Sequence, residues 1–397
     1  MLPCTDTEAA TLAKRYAPRI LFDRHEPFFP DRMGVTVFTQ SGQSPSCRHV
    51  VHLKDDAEFA IEYAIWWDWD IQHLYELEHI WVYVSDAGEI CRVEASAHGR
   101  LRQMVTTEGG LPVVDGQVRL YSEPGKHAFF ANESEIAERR PGLTANCGTL
   151  AGKMDILVQP QFAEALGFLK PYDHWLARRY MVSKAFEPSF VFDNGFDLAG
   201  VKICSWPALQ RYIPARLATV MEELRANHTG LKAVFLDSGD TLIDEGSEVK
   251  FNDLVLDAQL IPGTEDLMGG LKTRGVLVAL VADGLIDSFD RVHGRLGLTK
   301  YFHARSISEA VGGEKPLRTM FDTAAEMLGL RPEDYGDVIM VGNNLSRDIA
   351  GANALGLRTA FIPWAPRRRK IPENALEQPD YIIETPDQLL AVLDTYS

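Results

Sequence analysis

The chain has 397 residues, room for two domains, with an ordinary globular composition and a formal net charge of −16. That acidity argues against a general binder of nucleic acid or of anionic membrane surfaces. The five cysteines, Cys4, Cys47, Cys91, Cys147 and Cys204, are odd in number and never form a CxxC pair, so they read as reduced thiols of a cytoplasmic protein. The N-terminus lacks the apolar core of a signal peptide, and no apolar run approaches the roughly 18–20 residues of a spanning helix.

In chain order, residues 7–16 are predicted to be a short helix with Ala9, Leu12, Ala13 and Tyr16 on one face. Residues 17–38 (APRILFDRHEPFFPDRMGVTVF) point to short extended segments. The aromatic stretch 60–84 favours strands. In it Ile80, Val82 and Val84 alternate with Trp81 and Tyr83, which predicts burial on both faces. Strands follow over 89–97 and 117–121. Helices are expected from Gln161 onward, over 163–169 and 172–180. The first half is therefore α+β with a largely antiparallel sheet. Ser205–Asn227 reads as a long helix kinked at Pro214 and stopped by Gly230, which places the domain boundary there. The expected division is 1–204, an N-terminal β-rich α+β domain; 205–230, a helical linker; and 231–397, an α/β domain.

Seven of the eleven histidines fall before residue 130: His25, His49, His52, His73, His79, His98 and His127. Several stand at strand ends beside carboxylates: His73 with Asp70 and Glu76, His79 with Glu78, His127 with Glu123. Such His and carboxylate sets are common ligands of first-row metals, which makes Asp70, His73, Glu78, His79, His98 and His127 a second candidate site for a divalent metal. The bland alternative is hydrogen bonding within a polar-rimmed β domain, and no HExxH motif is present.

The most informative stretch is 231–244, LKAVFLDSGDTLID. Ala233, Val234, Phe235 and Leu236 run straight into Asp237, as in a buried parallel strand whose carboxyl end carries a ligand site. Asp237 can attack phosphorus, help hold Mg²⁺, or simply cap a turn. A second strand, VLVALVADG, ends at Asp283. Lys315 follows in GEKP, and a third strand, DVIMVGNNLSRD, leads to Asp348. A strand-borne Asp, a later Lys and a later acidic loop make up nucleophile, charge neutraliser and metal ligand for phosphoryl transfer. The run between Leu242 and Pro262 is long enough for a β-hairpin flap and nothing larger. The basic run 364–370 (WAPRRRK) either lines the mouth of the site and draws in anions, or is a solvated loop or one that forms ion pairs with the acidic partner domain.

These motifs, with PGTEDLMGGLKTRG and DIAGANALGL between and after them, resemble the haloacid dehalogenase-like superfamily over residues 231–397. The resemblance implies a Rossmannoid parallel sheet and a Mg²⁺-dependent phosphohydrolase or phosphotransferase working through an aspartyl-phosphate. Asp237 would be nucleophile and Lys315 neutraliser. Mg²⁺ would be held by Asp237, Gly239 and Asp348, with Asn343 a weaker or water-mediated partner. The substrate would be a phosphorylated or other anionic small molecule, and the N-terminal domain would cover the site or select substrate.

Three positions depart from the family pattern. Gly239 stands where an acid/base Asp is usual, with Asp240 one place later as the expected substitute. Ala282 stands where a phosphate-binding Ser or Thr is usual, and Gly342-Asn343 where Gly-Asp is usual. These departures support an alternative, a degenerate module used for binding or scaffolding beside an N-terminal metal-dependent hydrolase or lyase. That first half also resembles the vacuolar-protein-sorting-associated β domains of fungi and plants, on YAPRILFDRHEPFFP, LEH, AHG and LYSEPGKHAFF, and more faintly the necrosis-inducing proteins, whose acidic/His loop binds a divalent cation. On that resemblance Glu78, His79, His98 and His127 are the shared polar positions.

Overall fold

The structure, a computed structural model, describes residues 6–54 and 56–396; Cys4 lies outside them. The chain divides into two compact units. One comprises the residues up to Phe168 together with Leu176–Asn227, the other Leu169–Trp175 together with His228 onward.

The N-terminal unit is built on a seven-stranded sheet. Its order runs Lys202–Ser205, Arg32–Phe38, Phe59–Trp69, His73–Val84, Ile90–Ala97 and Arg100–Gln103, with Asp155–Ile156 also pairing with His73–Val84. The central hairpin, Phe59–Trp69 against His73–Val84, is antiparallel from Phe59↔Val84 to Trp69↔Leu74. Both strands are buried on both faces, as the unbroken aromatic and β-branched run requires: Tyr63, Trp66, Trp67, Trp81 and Tyr83 are all inside. A five-stranded sheet contains Phe129–Phe130, Gln117–Ser122, Arg19–Phe22 and Asn194–Asp197, with Val113–Val114 at its side.

The predicted helix over 163–169 is absent. A single 3₁₀ turn, Pro160–Phe162, leads into irregular turns, and the next helix is Pro171–Ser183. Gly167 inside that stretch and Pro171 just after it leave too little helix-forming chain for a turn to propagate. The long helix Trp206–Asn227 belongs to this unit and runs unbroken through Pro214, burying Leu209, Ile213, Leu217, Val220 and Met221 along one side.

The C-terminal unit is a six-stranded parallel sheet in the order Ala304–Ile307, Leu277–Ala282, Ala233–Leu236, Val338–Gly342, Arg358–Phe361, Tyr381–Ile382. Its three central strands, Leu277–Ala282, Ala233–Leu236 and Val338–Gly342, are wholly apolar and buried, as helix-covered parallel strands must be. The hairpin expected after Leu242 is present as Ile243–Phe251 paired with Leu254–Leu260. Neighbouring strands in parallel register bring residues 237, 283 and 343 out at one edge of the sheet, the carboxyl edge where open α/β sheets place their ligands.

Candidate active site

Asp237 is the first residue beyond its strand, and its backbone N–H still donates to the Val341 carbonyl at 3.0 Å. The chain then folds tightly: the Leu242 and Ile243 N–H groups both donate to the Ser238 carbonyl, at 2.8 and 3.0 Å. Ser238 Oγ lies 2.9 Å from Nε2 of the buried His293, whose pKa burial lowers to about 4. A hydrogen bond between a neutral ring and the hydroxyl thus ties the loop to the helix Ile286–Arg295.

Lys315 aims its ammonium into this edge. Nζ lies 2.6 Å from Asp237 Oδ1, 2.7 Å from Asp348 Oδ1 and 2.9 Å from the Val281 carbonyl. Burial opposes its charge, but Asp237, Asp348 and Asp283 outweigh burial and raise its pKa above the usual value, so it stays an ammonium. The Lys315 backbone is gripped from two sides. Its N–H donates to Asp283 Oδ1 at 3.0 Å, and its carbonyl accepts from Arg347 Nε at 3.0 Å. Arg347 Nη2 closes the brace on Asp283 Oδ2 at 2.7 Å. The other Asp237 oxygen, Oδ2, accepts from Thr241 Oγ1 at 3.1 Å.

Asp348 reaches the site from a wide helical turn, Leu345–Ile349, with Oδ2 accepting from the Asn344 N–H at 2.9 Å. Gly342 makes room for it: a Cβ there would run into the Asp348 carboxylate. Burial lifts the Asp348 carboxyl to about 6, even against the Lys315 ammonium. Its Oδ1 has no hydrogen bond among the described residues, only the Lys315 ion pair. Buried carboxylate oxygen of this kind suits a hard cation. Asp237 and the Gly239 carbonyl are the other oxygens near it that could hold such an ion. Asn343 uses its side-chain amide to donate to the Gly239 carbonyl and so orients that oxygen.

The other expected residues fall elsewhere. Asp240, at φ +49°, turns its carboxylate to Arg367 and to the Glu245 N–H, away from Lys315. The basic run finds its counter-ions inside its own unit: Arg367 on Asp240 and Glu245, Arg369 on Glu377. A cavity of about 310 Å³ opens beside the loop after Asp237, between the flap (Ile243, Glu245, Glu248, Val255) and the wall formed by Asp283, Leu285 and Phe289, with Ser238 and Gly239 at its base. Glu245, which the motif reading passes over, has its pKa raised by burial and fills the space beside Gly239 where a side chain would begin.

The N-terminal unit holds a larger cavity, about 1170 Å³, lined among others by His73, Glu76, Glu78, His79, His98 and Lys126. Asp70, His73 and Glu76 converge, with one ligand atom of each within 4.8 Å of the others. His73 Nδ1 lies 2.8 Å from the Tyr75 carbonyl, an acceptor, so Nδ1 donates there and Nε2 faces the carboxylates. Nε2 is 3.8 Å from Asp70 Oδ1 and 3.6 Å from Glu76 Oε2, beyond hydrogen-bonding distance. Asp70 Oδ1 also takes the Lys126 ammonium at 2.7 Å, while Oδ2 has no partner among the described residues. Burial lifts Glu76 and Glu78 to about 7.

The remaining members of that second set are dispersed. Neighbours along a strand point to opposite faces, so His79 does not meet Glu78. His79 Nε2 instead meets Ser46 Oγ at 2.9 Å, and Ser46 in turn donates to Glu62. Glu78 takes Ser96, and His98 meets Glu123. His127 turns from Glu123 to Glu26, 3.3 Å away, and stacks on Trp67 with centroids 4.8 Å apart.

Residues 194–356 match the family model of haloacid dehalogenase-like hydrolases. Glyceraldehyde 3-phosphate phosphatase of Methanopyrus kandleri is 36% identical over 124 residues, 31% of this chain and 52% of that protein. The enzyme of the same name from Pyrococcus furiosus is 30% identical over 135 residues, 34% of this chain and 54% of that protein. The chain thus spans about half the length of these curated relatives. A haloacid dehalogenase-type phosphatase from Thermococcus onnurineus aligns in structure at 21% identity with a TM-score of 0.34, over 41% of this chain and 98% of that one.

Proposed function

We propose that the C-terminal unit is a Mg²⁺-dependent phosphohydrolase that works through an aspartyl-phosphate on Asp237 and acts on a phosphorylated small molecule. The observation that carries this reading is the Lys315 ammonium within 2.7 Å of both Asp237 and Asp348 at the carboxyl edge of a parallel sheet. Thr241 and Lys315 fix the two Asp237 oxygens and so aim the nucleophile. Lys315 neutralises the carboxylate as phosphate approaches, and the backbone N–H groups of Ser238 and Gly239 would cradle the transferring group. Mg²⁺, held by Asp237, the Gly239 carbonyl and Asp348, supplies further neutralisation of phosphate oxygens when bound. The relatives' phosphatase names favour this class of substrate. Mg²⁺-dependent turnover of p-nitrophenyl phosphate, acetyl phosphate and sugar phosphates tests it, with wild type beside Asp237→Asn. The reading expects turnover that vanishes in the variant, and turnover indifferent to Asp237 contradicts it.

A second reading concerns the N-terminal unit. Asp70, His73 and Glu76 support a transition-metal site, because His73 Nε2 faces two carboxylates with no hydrogen bond between them. The large cavity around it then fits a metal-dependent hydrolase or lyase. Titration of the full chain with Zn²⁺ or Mn²⁺ tests this. One equivalent should bind in wild type and be lost in His73→Ala, and equal binding by the two proteins overturns it.

A further inference from the structure

The general acid that phosphoryl transfer to Asp237 calls for has a specific candidate in the flap. Gly239 lacks a side chain, but the space beside it is filled: a Cβ built on Gly239 lands on Oε1 of Glu245. That carboxylate comes from the opposite direction, off the first flap strand Ile243–Phe251, and stops where a side chain at 239 would start. Its other oxygen, Oε2, is held by Arg367, which leaves Oε1 as the end that faces Gly239. The Glu245 backbone is also anchored, with its N–H donating to Asp240 Oδ1 at 3.1 Å. Glu245 lines the same cavity as Ser238, Gly239 and Asp283, whereas Asp240 does not line it. A flap carboxylate thus occupies the place beside Gly239 where a side chain of the loop would stand.

We propose that Glu245 is the general acid/base of this site, with Arg367 and Asp240 as its positioning residues. The proposal rests on the aspartyl-phosphate reading. In the first step an Asp237 oxygen forms a bond to phosphorus and the ester P–O bond breaks. The departing oxygen takes the Glu245 proton and leaves as the alcohol. In the second step water attacks the phosphorus of the aspartyl-phosphate and gives a proton to the Glu245 carboxylate. Inorganic phosphate departs, and Asp237 and protonated Glu245 are restored. The substrate class follows: unactivated phosphate monoesters of alcohols become accessible, not only acyl or activated aryl phosphates.

The test is a leaving-group series on the full chain with Mg²⁺, from phenyl phosphate to 2,4-dinitrophenyl phosphate. An acid matters most where the leaving group is most basic, and general acid–base help is worth about 10²–10⁴-fold. Glu245→Gln should lose kcat/KM on phenyl phosphate by about that factor but less than about tenfold on the dinitrophenyl ester. Its kcat should fall on every ester, because the second step has lost its base. In a Glu245→Ala background there is room for a side chain at 239, and adding Gly239→Asp should restore phenyl phosphate turnover. A loss in Glu245→Gln that is equal across the series, or no loss, overturns the proposal while leaving Asp237 in place. If dinitrophenyl phosphate turnover survives Asp237→Asn, the aspartyl-phosphate reading fails first and takes this assignment with it.

Discussion

Replacing Lys315 with Met keeps most of the side-chain volume and removes one charge. In the native site that charge lies 2.6 Å from Asp237 and 2.7 Å from Asp348, with Lys315 and Asp348 almost fully enclosed. Breaking a buried pair from one side leaves an uncompensated charge and costs about 3–5 kcal/mol. Here two carboxylates are left facing each other, so the upper part of that range applies. For a unit of this size each kcal/mol corresponds to roughly 2–4 °C in Tm, which puts the expected loss at roughly 8–20 °C near pH 8. The loss should shrink as pH falls. Asp348 already titrates at about 6 with the ammonium present, and without it protonation comes at higher pH still. At pH 5 one carboxylate carries a proton and the repulsion is relieved. Thermal unfolding of the full chain at pH 8 and pH 5 reads both effects. A Lys315→Met protein within 2 °C of wild type at pH 8, or a deficit that does not change with pH, refutes the account of Lys315 as the buried counter-ion of both acids.

Two further outcomes follow from the geometry. Gly342→Ala places a methyl group against the Asp348 carboxylate, so it should cost about 1–3 kcal/mol by overpacking and depress Mg²⁺-dependent turnover together with stability. Calorimetry and turnover on the same sample check it. His79 lies buried, and burial lowers its pKa to about 4, so the folded state holds it neutral while the unfolded chain protonates it near 6.5. Its contribution is present above pH 6.5 and is lost as pH falls toward 4. That amounts to about 3 kcal/mol by linkage, and His79→Gln should show a shallower acid limb in a stability profile from pH 7 to 4.

The parts of the site legible in the sequence are those that sit next to a strand. Asp237 and Asp283 directly follow apolar runs, so their place at the sheet edge follows from the strand alone. Lys315 and Asp348 were readable because their motifs come in a fixed order, although their burial against Asp237 is a tertiary fact. What escaped the reading depends on chain segments meeting at a distance. Glu245 looks like one more acid in a polar hairpin, and only the approach of the flap to Gly239 gives it meaning. The brace of Arg347 on Asp283 spans 64 residues and carries no local signal. In the N-terminal unit the sequence brought histidines and acids close along the chain, but strand alternation and the turn at His127 send most of them to other partners. Asp70, His73 and Glu76 stay together because a tight turn between two strands holds them.

The claim that most needs a direct test is the covalent intermediate. The full chain would be mixed with Mg²⁺ and p-nitrophenyl phosphate, quenched in acid within a turnover, reduced with borohydride and mapped by mass spectrometry. Borohydride converts an acyl phosphate to the alcohol and leaves a free carboxylate untouched. The account predicts reduction at position 237 that depends on substrate and is absent in Asp237→Asn. Steady turnover with position 237 never reduced, or reduction at another carboxylate, would contradict it.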